Sequence, residues 1–226
     1  PLWGETLRPP SVPLVACDPY FSIWSSADQL HDSDTVHWTG VSQPLTSWLE
    51  IDGQRYRLMG TTPSEIPPLP QTRVQVLPTR TIYTFNGAGV SLTLTFLTPA
   101  LPDDLDVLAR PVTYLYWQLR ASDDNAHSVR IHFTASGELA VNHPNQRVDA
   151  SVVTFSEQTD ALTAIKIGTV QQPILERKGD AIRIDWGYLY VATASDLNAA
   201  MTITPAESDL PAAAEAVHGT ISFDAF

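Results

Sequence analysis

Arg80-Thr81-Ile82-Tyr83-Thr84-Phe85-Asn86-Gly87-Ala88-Gly89-Val90-Ser91-Leu92-Thr93-Leu94-Thr95-Phe96-Leu97 is the stretch that decides the fold class. In its second half Val90, Leu92, Leu94 and Phe96 fall on one face, and Ser91, Thr93 and Thr95 on the other. That period of two belongs to a half-buried β-strand. The first half is rich in β-branched and aromatic residues, and Asn86-Gly87-Ala88-Gly89 tolerates the positive φ of a hairpin turn. Two antiparallel strands are predicted.

Moving outward, Val112–Arg120 is the strongest further strand, β-branched and aromatic without a helical stripe. Trp48–Ile51 and Tyr56–Met59 flank Asp52-Gly53, a second hairpin signal. Val129, Ile131 and Phe133 alternate against Arg130, His132 and Thr134. Val148–Phe155, Ala164–Ile167, Ala181–Trp186, Tyr188–Thr193 and Ala200–Ile203 continue the series, and Ile221–Phe226 starts another strand. Ser208–Val217 is the one helical candidate, with Ser208 as cap, Pro211 in its first turn and Gly219 as stop. The expectation is an all-β fold, a large antiparallel β-sandwich with little helix. We expect one sandwich domain over 1–226, with 1–62 as an N-terminal motif-bearing segment and 63–226 as the main sandwich. Pro63–Pro70 reads as a stiff connector between them.

The 226 residues carry 13 Lys+Arg against 25 Asp+Glu, a net charge of −12. This excludes an electrostatic nucleic-acid binder and a polybasic membrane-surface protein. No apolar run reaches the roughly 18–20 residues of a membrane span. The single cysteine, Cys17, excludes a disulfide framework, and its plainest reading is a small buried hydrophobe. There is no nucleophile elbow, phosphate loop or dinucleotide fingerprint, so no cofactor is expected.

Several residues are candidates for a polar pocket. His31-Asp32-Ser33-Asp34 with His37 and Trp38 is the densest cluster of ligand-type residues, yet it fails the calcium-loop pattern and lacks paired-histidine zinc spacing. Asp32, Asp34, His37 and Trp38 are retained as pocket candidates. Asp103 and Asp104 are adjacent carboxylates that can do acid–base work or cap a helical turn, with Arg110 close enough to pair. His127 and His132 lie five apart, on opposite faces of a strand, and do not make co-ligands. Six tryptophans allow a stacking platform for sugars, and Trp186, beside Gly187 at a bulge, joins the candidates. No residue is identified as catalytic, and no metal site is expected.

Arg8-Pro9-Pro10-Ser11-Val12-Pro13-Leu14-Val15, Asp18-Pro19-Tyr20-Phe21-Ser22-Ile23-Trp24-Ser25 and His37-Trp38-Thr39-Gly40 together resemble the N-terminal signature of the glutaminase A family. Ile51-Asp52-Gly53, Leu58-Met59-Gly60, Phe96-Leu97-Thr98-Pro99, Leu101-Pro102-Asp103-Asp104-Leu105, Arg110-Pro111-Val112-Thr113-Tyr114 and Trp186-Gly187-Tyr188 extend it. The resemblance implies a supersandwich of galactose mutarotase-like type at the start of a larger hydrolase. Such hydrolases release ammonia from glutamine to give glutamate and are often exported, so an extracellular or periplasmic location is expected. It also implies that a helical domain follows, absent from this chain, as the partner and the home of catalysis. The alternative is a carbohydrate-binding or glycoside-hydrolase accessory sandwich with a small-molecule or glycan ligand.

Overall fold

The computed structural model describes residues 8–157, 160–197, 199–205 and 217–225. In chain order its strands are β1 (Val12–Ala16), β2 (Ser22–Ser25), β3 (Val36–His37), β4 (Leu45–Ile51), β5 (Gln54–Met59), β6 (Gln71–Leu77), β7 (Arg80–Gly87) and β8 (Val90–Leu97). A one-turn helix α1 (Leu105–Leu108) precedes β9 (Tyr114–Ala121), β10 (Val129–Ser136), β11 (Val148–Glu157), β12 (Asp160–Thr169), β13 (Leu189–Ala194), β14 (Ala200–Pro205) and β15 (Val217–Ala225). The all-β sandwich expected from the alternation is what forms. The helix expected at 208–217 lies outside the described residues except for Val217, which starts β15.

The hairpins obey their turn chemistry. Ala88 and Gly89 at φ 50° and 75°, and Asp52 and Gly53 at 50° and 82°, are the two central residues of turns whose twist matches the flanking strands. A four-stranded sheet runs β6-β7-β8-β9 and a five-stranded sheet runs β14-β15-β10-β4-β5. Tyr83, Phe85, Leu92, Leu94 and Phe96 from the first meet Leu49, Ile51, Ile131 and Phe133 from the second in one buried cluster. Each such side chain contributes about 1.5–3 kcal/mol on burial. Trp117 of β9 meets Phe133 of β10 edge-on across this core, with centroids 5.7 Å apart.

Two smaller sheets complete the fold. β11-β12-β13 lays Ile165 and Ile167 against Ile221 of β15 in a second cluster. β1-β2-β3 packs Val12, Leu14, Val15 and Ile23 onto the first core, and the Thr81 hydroxyl donates to the Pro13 carbonyl at 2.6 Å.

One expectation needs correction. Ala181–Trp186 forms no strand. Its alternation is inverted: Arg183 and Asp185 are buried, and side chains rather than a partner strand take its backbone groups. The Arg183 N–H donates to Asn142 Oδ1 at 3.1 Å, and the Asp185 carbonyl accepts from the Thr169 hydroxyl at 2.5 Å. Pro63–Pro70, expected as a stiff connector, is tied to β5, where the Arg57 N–H donates to the Pro67 carbonyl at 2.8 Å and the Leu69 N–H to the Arg57 carbonyl at 2.9 Å. Ile66 and Leu69 are buried, and the Arg57 guanidinium donates to the Pro63 and Ile66 carbonyls at 3.0 and 2.9 Å.

Candidate functional site

The β1–β3 sheet opens an apolar-floored pocket of about 440 Å³, lined by Ala16, Cys17, Asp18, Pro19, Ser22, Trp24 and Trp38. Its geometry starts with Asp18, whose Oδ1 accepts the Tyr20 and Phe21 N–H groups at 2.7 and 2.9 Å and closes a tight turn. That turn presents the Pro19 carbonyl to two donors, the Trp38 indole N–H at 2.7 Å and His37 Nε2 at 3.1 Å. A carbonyl only accepts, so His37 carries its proton on Nε2. Its Nδ1 then accepts from the Thr39 N–H and hydroxyl at 3.3 and 2.8 Å. Burial lowers the His37 pKa, in keeping with a neutral ring. The Trp24 indole N–H is fixed as well, donating to Ser22 Oγ at 2.8 Å. Both indoles are therefore pinned by their polar edges.

Of the seven residues singled out in the sequence, Trp38 alone lines this pocket, and it is 50% exposed. His37 is buried beside it as an anchor for the turn. Asp34 binds the Thr61 N–H and hydroxyl, each at 2.8 Å, tying two loops together. Asp32 is exposed, 3.6 Å from the His31 ring. Asp104 caps α1 through the Val107 N–H at 3.0 Å, while Asp103 is exposed in the same turn. Trp186 is half-buried in the segment that leads into β13, outside the pocket lining. Cys17 is half-buried rather than buried, 3.7 Å from the Thr113 hydroxyl, and desolvation raises its pKa, so it stays a thiol at neutral pH.

Composition and spacing alone did not single out the residues that make the pocket, Asp18, Ser22 and Trp24, although all three sit in the quoted signature. His127, weighed in the sequence only as a co-ligand of His132, has partners that spacing does not show. Its Nδ1 meets Asp52 Oδ2 at 2.6 Å and its Nε2 meets Asp123 Oδ1 at 2.9 Å, a protonated imidazole between two carboxylates. Those two hydrogen bonds raise the His127 pKa, and the His127 hydrogen bond holds Asp123 at about 2. His132 sits apart, stacked on Trp48 at 3.6 Å between centroids.

A second polar cluster surrounds Asp185, only 2% exposed, whose Oδ2 accepts from Gln146 and from Arg177, each at 2.8 Å. Gln146 also caps the Asn142 and His143 N–H groups at 2.7 and 2.9 Å. These bonds hold the 142–146 turn to the 177–185 segment. Among the described residues no group of three His, Cys, Asp or Glu side chains is arranged to hold a metal ion. No helix among them is long and apolar enough to cross a membrane.

Two family profiles match. One, described as "Domain of unknown function (DUF5127)", covers residues 79–220, and another, "Domain of unknown function (DUF4964)", covers residues 3–69. The chain is also similar to Glutaminase A from Aspergillus oryzae, at 29% identity over 194 residues. That similarity takes in 82% of this chain and 27% of the relative, so the chain spans little more than a quarter of that protein's length.

Proposed function

We propose that this chain, which belongs to the DUF5127 family, is the N-terminal β-sandwich of a glutaminase-type amidohydrolase. In this reading the whole protein converts L-glutamine to L-glutamate and ammonia, and the sandwich braces or shapes the site without carrying out hydrolysis. The observation behind it is the similarity to Glutaminase A, which takes in most of this chain but 27% of the relative. The chemistry of the side chains agrees. Amide hydrolysis needs an activated nucleophile with a base in hydrogen-bond reach. Here Cys17 is held as a thiol, His37 is neutral with both nitrogens engaged, and both nitrogens of His127 face carboxylates. The test is ammonia release from glutamine, measured for this purified chain and for the protein encoded by its full reading frame. Activity is expected only in the latter, and equal turnover by the chain alone overturns the proposal.

A second reading, a carbohydrate-binding accessory sandwich, is favoured by the pocket that Trp24 and Trp38 line. Indoles fixed through their N–H groups leave ring faces free to stack on a pyranose, and Asp18 offers a carboxylate for hydroxyls. Glycan-array binding that falls at least about tenfold, roughly 1.4 kcal/mol, in Trp38→Ala supports it. An array on which the chain binds nothing removes it.

A further inference from the structure

β8 and β9 are antiparallel neighbours with Leu97 opposite Tyr114, a pair that two residues can join, as Ala88-Gly89 joins β7 to β8. Residues 98–113 intervene instead. Connections longer than roughly 12–15 residues are uncommon in compact folds and are usually functional when ordered. This one is apolar on its outside. Every residue of α1 is unburied, Leu105 is 72% exposed, and Leu108, on the same side three residues later, is 45% exposed. Leu101, Val112, Tyr114 and Tyr116 are exposed too, and the two tyrosine rings stack at 6.1 Å.

The segment is nonetheless fixed. The Leu108 and Ala109 N–H groups return to the Asp104 and Leu105 carbonyls, each at 2.9 Å. At its base the Thr98 and Thr113 hydroxyls meet at 2.7 Å, and Thr98 Oγ1 accepts the Ala16 N–H at 3.4 Å. Large apolar side chains held at the surface favour association, because their removal from water drives it. Asp103, Asp104 and Asp106 interleave with the leucines and Arg110 is the segment's one cation, so the complementary surface is an apolar groove rimmed by Lys and Arg.

We propose that the 98–116 segment is the docking surface for a further domain of the same polypeptide, one that presents such a basic-rimmed apolar groove. The inference rests on the glutaminase-type reading above. The relative extends well beyond the 27% of its length that corresponds to this chain, and that remainder is the occupant. The experiment places Leu105→Asp and Leu108→Asp together in this chain and in the protein encoded by the full reading frame. That protein also carries a protease site between its two parts, so that they are cut apart after folding together. In this chain alone the pair leaves the melting temperature unchanged, since both side chains face solvent. Between the separated parts it weakens association at least tenfold, and Leu105→Met with Leu108→Met restores it. Wild-type association of the doubly charged variant overturns the surface, as does a wild-type chain that dimerises through these leucines. A reading frame with no further domain overturns both this inference and the function it rests on. A further domain that docks here but leaves glutamine intact overturns only the function.

Discussion

His127 joins three turns at one end of the sandwich. It bonds Asp52 of the β4–β5 turn and Asp123 of the β9–β10 connection, and it lies where a side chain on Gly89 of the β7–β8 turn would stand, 2.5 Å from its ring. The Asp52 carboxylate also accepts the Ser128 N–H at 2.9 Å, and the Ser122 N–H donates to the Gly89 carbonyl at 2.8 Å. Charge makes this latch pH-dependent. A histidine whose pKa is raised in the fold contributes stability that is fully present below its ordinary value of 6.5 and is lost as pH climbs through the raised one. Asp52 and Asp123 are lowered from 3.8, so their contribution is present above that value and lost as pH falls, for Asp123 through about 2. The latch is therefore complete between about pH 4 and 6.5. Melting temperatures of the wild type and His127→Gln should differ most in that window and converge above it. A difference that stays constant up to pH 9 contradicts the charged-latch account. Both carboxylates are partly exposed, so salt should shrink the gap.

At the scale of elements, hairpins and strands were legible because their rules are local. β8 begins and ends where alternation begins and ends, and both two-residue turns carry the glycine their second position requires. Ala88 is the imperfect member: an exposed, non-glycine residue at φ 50°, in a region where L-residues are strained. Ala88→Asn should therefore stabilise the protein by about 0.5–1 kcal/mol in chemical denaturation, with an unchanged m-value. A loss of stability would show that the turn is not of the assigned type. Ala181–Trp186 misled because alternation reports two faces without saying which one is inside. Ile182 and Ile184 look like a core face, yet Arg183 and Asp185 are buried through partners on the remote residues Asn142, Gln146 and Arg177. The pocket was hidden for a similar reason. Trp24 lies in β2 and Trp38 in the turn after β3, and the Pro19 carbonyl that orders the turn beneath them is a backbone atom.

For the whole molecule, strand order was beyond sequence reading, because β10 pairs with β4 on one side and β15 on the other, segments far apart in the chain. That order has a mechanical consequence. On one face of the five-stranded sheet, Phe133 of the first core lies directly opposite Ile221 of the second. Leu189 and Val191 pack against both clusters. Gly219 of β15 allows the close approach, since a Cβ there would stand 3.0 Å from Ile165. The two cores thus share a wall, and neither can open without exposing the other. Leu94→Ala in the first core and Ile165→Ala in the second, both fully buried sites, should each cost about 2–5 kcal/mol. They should move the same transition, with tryptophan fluorescence and far-ultraviolet circular dichroism coincident in each variant. If Ile165→Ala split the curve into two steps, β11–β13 would be an independently unfolding unit, and the shared wall would carry no coupling.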